Sequence, residues 1–377
     1  MKLHKIALIL FSSFLISALL LLFFYPRNLT NVVGTSTTFA TISANHQRKT
    51  FYANGYHWIF HCNGSHILYS TSNDGSSWST PFIVRKGISS SGICVWYDGN
   101  IHTVYASGVP GTPVFYRRGS ISGNTIEWED EQPTVPGVEG HEYYNGYCIT
   151  DSNGYPWAAY IENDGFYWSS SVVRATSTNG SSWNTPTKIS EPSINIPRTS
   201  ILPLNDGKVY AIYATTNEVK GKLWNGTAWS TEENITMTKL TQDYGYSAIS
   251  HNDDIHLALL ENDTNNILHF KRTSATGWQD KVIIEANQTF ISFPVLSVDK
   301  LTGNLYCFWI YNNSLRMKKC VNDTWEGSSS DPFGTTFCSP RSITCFYQVW
   351  DRKTGIACLE DLNGTYRLRY ESLTIHP

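Results

Sequence analysis

The chain has 377 residues, a formal net charge of −3, 16 % charged residues and 14 % aromatic residues. That length buries a large core, and many-stranded all-β folds often run this long as one unit. The weak net charge offers no basic field, so nucleic-acid binding is excluded, and the abundance of Trp, Tyr, Ser, Thr and Asn favours strands and turns over long surface helices.

From the N-terminus, Lys2 and Lys5 precede Ile6 to Phe24, nineteen residues without a charge. A helix of that length spans a bilayer core. The stretch ends in Leu-Leu-Leu-Leu-Phe-Phe-Tyr-Pro, a poor cleavage site, so an uncleaved signal anchor is favoured over a signal peptide. The two lysines outnumber Arg27 on the far side, which puts the N-terminus in the cytoplasm and the remainder outside. Asn-x-Ser/Thr sequons at Asn28, Asn63, Asn179, Asn225, Asn234, Asn262, Asn287, Asn312, Asn322 and Asn363 agree with an outside location.

Seven apolar runs follow, each preceded by a turn signal. They are YHWIFHC (Tyr56 to Cys62), IHTVYAS (Ile101 to Ser107), PWAAYIE (Pro156 to Glu162), VYAIYAT (Val209 to Thr215), IHLALLE (Ile255 to Glu261), LYCFWIY (Leu305 to Tyr311) and IACLE (Ile356 to Glu360). The turn before the seventh is Lys353-Thr354-Gly355. Each run has a β-rich stretch before it and another after it, so each unit reads strand a, Asn/Asp/Gly turn, strand b, strand c. Six units end on Trp78, Trp128, Trp183, Trp229, Trp278 and Trp325, spaced 50, 55, 46, 49 and 47 residues apart, and a fourth strand, d, begins there. This period is that of propeller blades. The seventh unit lacks the tryptophan. Val32 to Ile42 is β-prone and supplies its missing outer strand, closing the ring and protecting the sheet edges.

The predicted fold is therefore all-β: a β-propeller of seven four-stranded blades, or six if one unit is misread, preceded by one transmembrane helix. Residues 1–5 form a cytoplasmic stub, 6–25 the anchor, 26–44 a linker with the closing strand, and 45–377 the propeller. The eight cysteines contain no C-x-x-C pair, which removes zinc and thioredoxin-like readings. Outside the cell some of the eight could pair as disulfides, in any of 105 full pairings, while several inside strands read as buried free thiols. His141-Glu142 has no partner at helical spacing, so neither a metal nor a cofactor is expected.

Thr71 to Trp78 (TSNDGSSW) resembles the Asp-box of sialidases, Ser-x-Asp-x-Gly-x-x-Trp, with Asn73 at the aspartate position, then Gly75 and Trp78. Thr176 to Trp183 (TSTNGSSW) is a looser copy that keeps Gly180 and Trp183. On these motifs the repeating part is similar to the sialidase, or BNR-repeat, superfamily of propellers. The resemblance implies that these boxes are structural turns between strands c and d, away from the catalytic face. It also implies six blades for a true sialidase.

The loops that enter strand a surround one mouth of the central channel. They carry Arg48, Ser89 to Ser91, Glu139, His141, Glu142, Tyr143, Tyr144, Asn195, Arg198, Asp243, Tyr244, Tyr246, Ser292, Phe293 and Arg341. Sialidases grip a carboxylate with three arginines, a role the resemblance offers to Arg48, Arg198 and Arg341. It likewise offers Tyr244 or Tyr143 as nucleophile, Glu142 as its base and Asp243 as acid, with His141 beside them. The family's Arg-Ile-Pro signature is absent. Three readings stand: a membrane-anchored extracellular propeller that binds a glycan or another surface ligand, a sialidase-like glycosidase, and a structural or adhesion protein of the cell surface.

Overall fold

The computed structural model describes residues 31–375 except 89–91, 216, 239, 241–244, 289–292 and 334–341. The proposed anchor, residues 6–25, lies outside these residues. Among the described residues no helix is long and apolar enough to cross a membrane.

Seven antiparallel sheets form the seven blades, each running a-b-c-d from its innermost strand, and the sheets of blades 2 and 5 carry a fifth, short strand, Thr125–Trp128 and Gly277–Trp278, paired to strand c. Blade 1 comprises Thr50–Ala53, Tyr56–Cys62, His66–Ser72 and Phe82–Lys86. The innermost strands of blades 2 to 6 are Ile93–Tyr97, Glu142–Thr150, Arg198–Pro203, Tyr246–His251 and Val295–Val298. Blade 7 joins Ile343–Cys345, Lys353–Asp361 and Tyr366–Thr374 to Val32–Ser36 from the start of the chain, with Val32 opposite Arg369 and Ser36 opposite Tyr366. The expected closing strand is thus present, and it satisfies the free edge of the last blade with backbone bonds that span the whole fold.

The sequence signals locate most elements closely, with two differences. The seventh turn is formed by Asp351 and Arg352, at φ 49° and 57°, while Lys353, Thr354 and Gly355 already belong to strand b. In blades 1 to 5 the outer strand begins four residues after the tryptophan, not on it: Phe82, Gln132, Thr187, Glu233 and Val282 follow Trp78, Trp128, Trp183, Trp229 and Trp278.

Those tryptophans do a different job. Trp78 packs edge-on against Tyr370 of blade 7 at 4.9 Å, Trp128 against Tyr69 of blade 1 at 6.5 Å, and Trp183 against Tyr116 of blade 2 at 5.1 Å. Trp229 meets Trp157 of blade 3 at 6.1 Å, Trp278 meets Tyr210 of blade 4 at 5.9 Å, and Trp325 meets His269 of blade 5 at 5.3 Å. Each blade therefore presents its tryptophan to an aromatic ring of the blade before it, in the edge-to-face geometry that aromatic quadrupoles favour. Because blades pack face to face, their inner strands are buried on both sides, and runs such as LYCFWIY are almost continuously apolar instead of alternating.

The turns before the tryptophans correct one detail of the motif reading. In the first, Asp74, not Asn73, braces the loop: its Oδ1 accepts the Ser76 and Ser77 amides, each at 2.7 Å, and the Ser72 hydroxyl at 2.8 Å. In the second, Asn179 does the same for the Ser181 amide and the Ser177 hydroxyl. Gly75 and Gly180 sit at φ 75° and 72°, where a side chain is strained. A Cβ at Gly180 would also lie 2.3 Å from the Tyr116 ring.

Six cysteines are buried free thiols: Cys62, Cys94, Cys148, Cys307, Cys320 and Cys345. Cys358, also within a strand, is instead disulfide-bonded.

Candidate functional site

The innermost strands leave a central channel, and a segment between the closing strand and blade 1 fills it. Ala44 and each residue from Asn45 to Lys49 are buried there. Asn45 donates to the Phe293 carbonyl at 3.0 Å, and Gln47 to the Gly146 carbonyl at 2.7 Å. The Val95 amide donates to the Arg48 carbonyl at 2.8 Å, and the Phe60 amide to the Lys49 carbonyl at 2.8 Å. The segment satisfies its own backbone on blades around the ring, which is why a stretch without strand pairing tolerates burial.

Arg48 lies on this segment, inside the channel, and only 6 % exposed. Its Nε donates to the Tyr147 hydroxyl at 2.9 Å and its Nη2 to the Ala248 carbonyl at 3.0 Å. The guanidinium lies 4.4 Å from the ring centre of Tyr347 and 5.5 Å from that of Trp96, and these two rings stack at 4.8 Å. Its neighbour Lys49 is fully buried, donating to the Gln47 amide oxygen at 3.0 Å and the Ala44 carbonyl at 3.4 Å. Burial lowers the Lys49 pKa to about 7. His46 stacks between Tyr246 and Tyr147, and burial, then the Arg198 and Lys49 charges, hold its pKa well below the usual imidazole range.

Above Arg48 opens a cavity of about 450 Å³. Its walls are the ends of the innermost strands where they turn into strand b, among them Thr150 to Ser152, Pro203 to Asn205 and Ile249 to Asn252, with Lys300 in the same turn of blade 6. Its floor is Arg48, Trp96 and Tyr347. Asp151 is the wall's carboxylate, and its oxygens are already occupied: Oδ1 accepts the Asn153 and Tyr155 amides, and Oδ2 accepts Trp157 Nε1 at 3.0 Å and Arg174 Nε at 3.3 Å. Lys300 is exposed as a residue, yet partial withdrawal of its ammonium from water, then the Arg48 charge, lowers its pKa. Among the described residues neither Arg48 nor Lys300 has a salt-bridge partner. The cavity is therefore cationic over an aromatic floor.

This cavity opens at the end of the channel opposite the loops that enter strand a. At that other end, His141 Nδ1 lies 2.9 Å from Glu162 Oε1, and Lys188 reaches Glu162 Oε2 at 3.4 Å. Glu142 accepts the Tyr144 hydroxyl at 3.1 Å and the Asn163 amide at 3.3 Å. Tyr143 is buried edge-on against Tyr160 at 5.4 Å. Arg198 is buried and donates to the Pro197 carbonyl at 2.8 Å. Tyr246, also buried, donates to the Arg198 carbonyl at 3.1 Å. Ser89 to Ser91, Asp243, Tyr244, Ser292 and Arg341 lie outside the described residues. The structure thus brings His141 to Glu162 and Glu142 to Tyr144, and it places Arg48 in the channel. The residues that sequence reasoning did not single out are Trp96, Lys300 and Tyr347. Trp96 and Tyr347 each sit near the end of an innermost strand, and no local pattern distinguishes them from core aromatics.

No family model matches the chain, and no curated protein matches it. Among solved structures, the polysaccharide lyase Uly1 superposes with a TM-score of 0.56 at 12 % identity, covering 92 % of this chain and 93 % of that one. A polysaccharide lyase of the PL25 family, an ulvan lyase bound to -[GlcA(1-4)Rha3S]-, gives 0.52 at 10 % identity, covering 89 % and 95 %. The Penicillium chrysogenum alpha-L-arabinanase complexed with arabinobiose gives 0.51 at 12 % identity, covering 78 % and 99 %. At these identities the likeness establishes the fold: a seven-bladed β-propeller whose structural neighbours include carbohydrate-active enzymes. It does not extend to the sialidase superfamily in particular.

Proposed function

We propose that this chain is a membrane-anchored, extracytoplasmic propeller that binds an acidic glycan in the cavity above Arg48. The observation that carries the reading is Arg48 itself: a guanidinium nine-tenths buried, stacked on Tyr347, facing a cavity whose one wall carboxylate among the described residues is already engaged. A buried cation without a counter-ion is costly, and an anionic ligand removes that cost. Guanidinium donors match carboxylate and sulfate oxygens, and aromatic residues complement the apolar faces of a sugar ring. Carbohydrate-active neighbours, one solved with a uronate-containing sulfated chain, support a glycan as the occupant. The uncharged Ile6 to Phe24 stretch and the sequons support an anchored, outward-facing propeller.

The test is a binding screen of residues 31–377 against neutral, uronate-bearing and sulfated glycans. Binding is expected for acidic chains only, weakening as salt rises. Lys300→Ala, at an exposed position, weakens it about three- to tenfold, and Arg48→Ala abolishes it, as loss of a buried charged hydrogen-bonding group costs about 2–5 kcal/mol. Equal binding of neutral and acidic chains, or full binding by both variants, refutes the site.

A second reading rests on His141 Nδ1 lying 2.9 Å from Glu162 at the other mouth. An imidazole oriented by a carboxylate is a candidate general acid or base, and the sequence assigns Arg198, with Arg341, Asp243 and Tyr244 outside the described residues, to loops that enter strand a, like that of His141. Turnover of a fluorogenic sialoside or of an acidic polysaccharide, lost in His141→Ala and kept in Lys300→Ala, would establish it. Absence of turnover leaves the binding reading alone.

A further inference from the structure

We propose that Cys94 and Cys148 close a disulfide between blades 2 and 3 when the chain folds under oxidising conditions. Cys94 lies on the innermost strand Ile93–Tyr97 and Cys148 on the innermost strand Glu142–Thr150. These neighbouring blades are separate sheets with no strand ladder between them. The two side chains face each other across the gap. Cys148 Sγ donates to the Cys94 carbonyl at 3.2 Å, and Cys94 Sγ lies 3.9 Å from the Cys148 carbonyl. Among the described free cysteines this is the pair in which each Sγ lies against the other's carbonyl. Cys62 bonds to the Ile88 carbonyl and Cys345 to the Leu296 carbonyl. Elsewhere in the chain, disulfide-bonded Cys358 shows that the fold already includes an oxidised cysteine.

The chemistry balances with a disulfide oxidant such as oxidised glutathione. The Cys94 thiolate attacks one glutathione sulfur, forming a mixed disulfide and releasing one glutathione thiolate. The Cys148 thiol then gives its proton to that thiolate and attacks the Cys94 sulfur, releasing the second glutathione as a thiolate that takes up the proton Cys94 gave to solvent. Two protein thiols are oxidised and one oxidised glutathione is reduced to two thiols. Both residues are fully buried in the finished fold, so the bond forms before the blades close around them. It ties together positions 54 residues apart, a separation at which a cross-link substantially restricts the unfolded chain.

The full chain, purified in detergent, is unfolded with reductant and refolded in glutathione buffers of increasing oxidised share. It is then acid-quenched, alkylated in denaturant and peptide-mapped. The expected map shows the Cys94 and Cys148 peptides joined with loss of two hydrogens, at redox ratios where Cys62, Cys307, Cys320 and Cys345 are still alkylated. In Cys148→Ser the cross-link disappears and Cys94 is alkylated, whereas Cys62→Ser leaves the cross-link intact. Alkylation of both Cys94 and Cys148 across the whole range, or pairing of either with a different cysteine, overturns the proposal. The readout is covalent, so it stands or falls separately from glycan binding and from the membrane location.

Discussion

Replacing Lys49 by Met should make the protein more stable at neutral pH and flatten its dependence on alkali. Lys49 is fully buried, with two neutral acceptors and, among the described residues, no carboxylate beside it, and burial brings its pKa from 10.5 to about 7. The unfolded chain binds that proton up to the ordinary lysine range, whereas the folded chain gives it up near 7. Between those limits the unfolded state binds more protons, so stability rises with pH, by about 1.4 kcal/mol per pH unit. The penalty is full below the folded pKa and gone above the unfolded one. At pH 7 it amounts to about 4 kcal/mol, and about 3 kcal/mol of this is recovered by pH 9.5. Methionine carries no charge but leaves the Gln47 oxygen without its donor, a loss of about 1–2 kcal/mol. The net gain for Lys49→Met at pH 7 is therefore about 2–3 kcal/mol. Cys94 faces the same ammonium and titrates in the same range, so both proteins carry Cys94→Ala. Urea unfolding midpoints from pH 7 to 9.5 measure the effect. Parallel pH slopes for the two proteins, or a Met variant less stable at pH 7, would refute the reasoning.

Trp278→Ala removes both an interblade ring contact and the 2.8 Å hydrogen bond from Nε1 to the Tyr210 hydroxyl, and should cost about 2–4 kcal/mol in urea unfolding. Trp278→Phe keeps much of the packing and loses about 1 kcal/mol, and equal losses for the two would show that the hydrogen bond, not the ring, matters. Asp74→Ala should lower the melting temperature while Asn73→Ala leaves it unchanged, because Asp74 braces the turn. The Ser77 and Ser76 amides and the Ser72 hydroxyl hold the Asp74 carboxyl below its usual range, so its stabilisation is present above the unfolded carboxylate pKa and is lost as pH falls toward the folded one. The gap between wild type and Asp74→Ala therefore closes in acid. A gap that persists at low pH, or an equal loss in Asn73→Ala, would overturn the assignment.

The blades were legible because each repeats a local pattern. Asn54-Gly55, Asp206-Gly207 and their equivalents need backbone conformations that few residues adopt, and the buried inner strands between them read as apolar runs. The recurring tryptophan marked the period, and the β-prone start marked the closing strand. The candidate site is less legible. Arg48 was visible as a residue near the entrance to the first blade, but its surroundings were not, because Tyr147, Ala248, Trp96 and Tyr347 come from four other blades.

By itself, the sequence determined the repeat and the way the ring closes, since both follow from turn chemistry, strand periodicity and a spare strand at one end of the chain, and the structure decided for seven blades over six. Only the tertiary structure decided that Asn45 to Lys49 fill the channel, that Asp151 is spent on Arg174 and Trp157, and that Arg48 faces a cavity with no salt-bridge partner among the described residues. The physical reason is that a propeller's channel is walled by one strand from every blade. Its charge balance and its open end are sums over residues hundreds of positions apart, and no local window of the chain contains them.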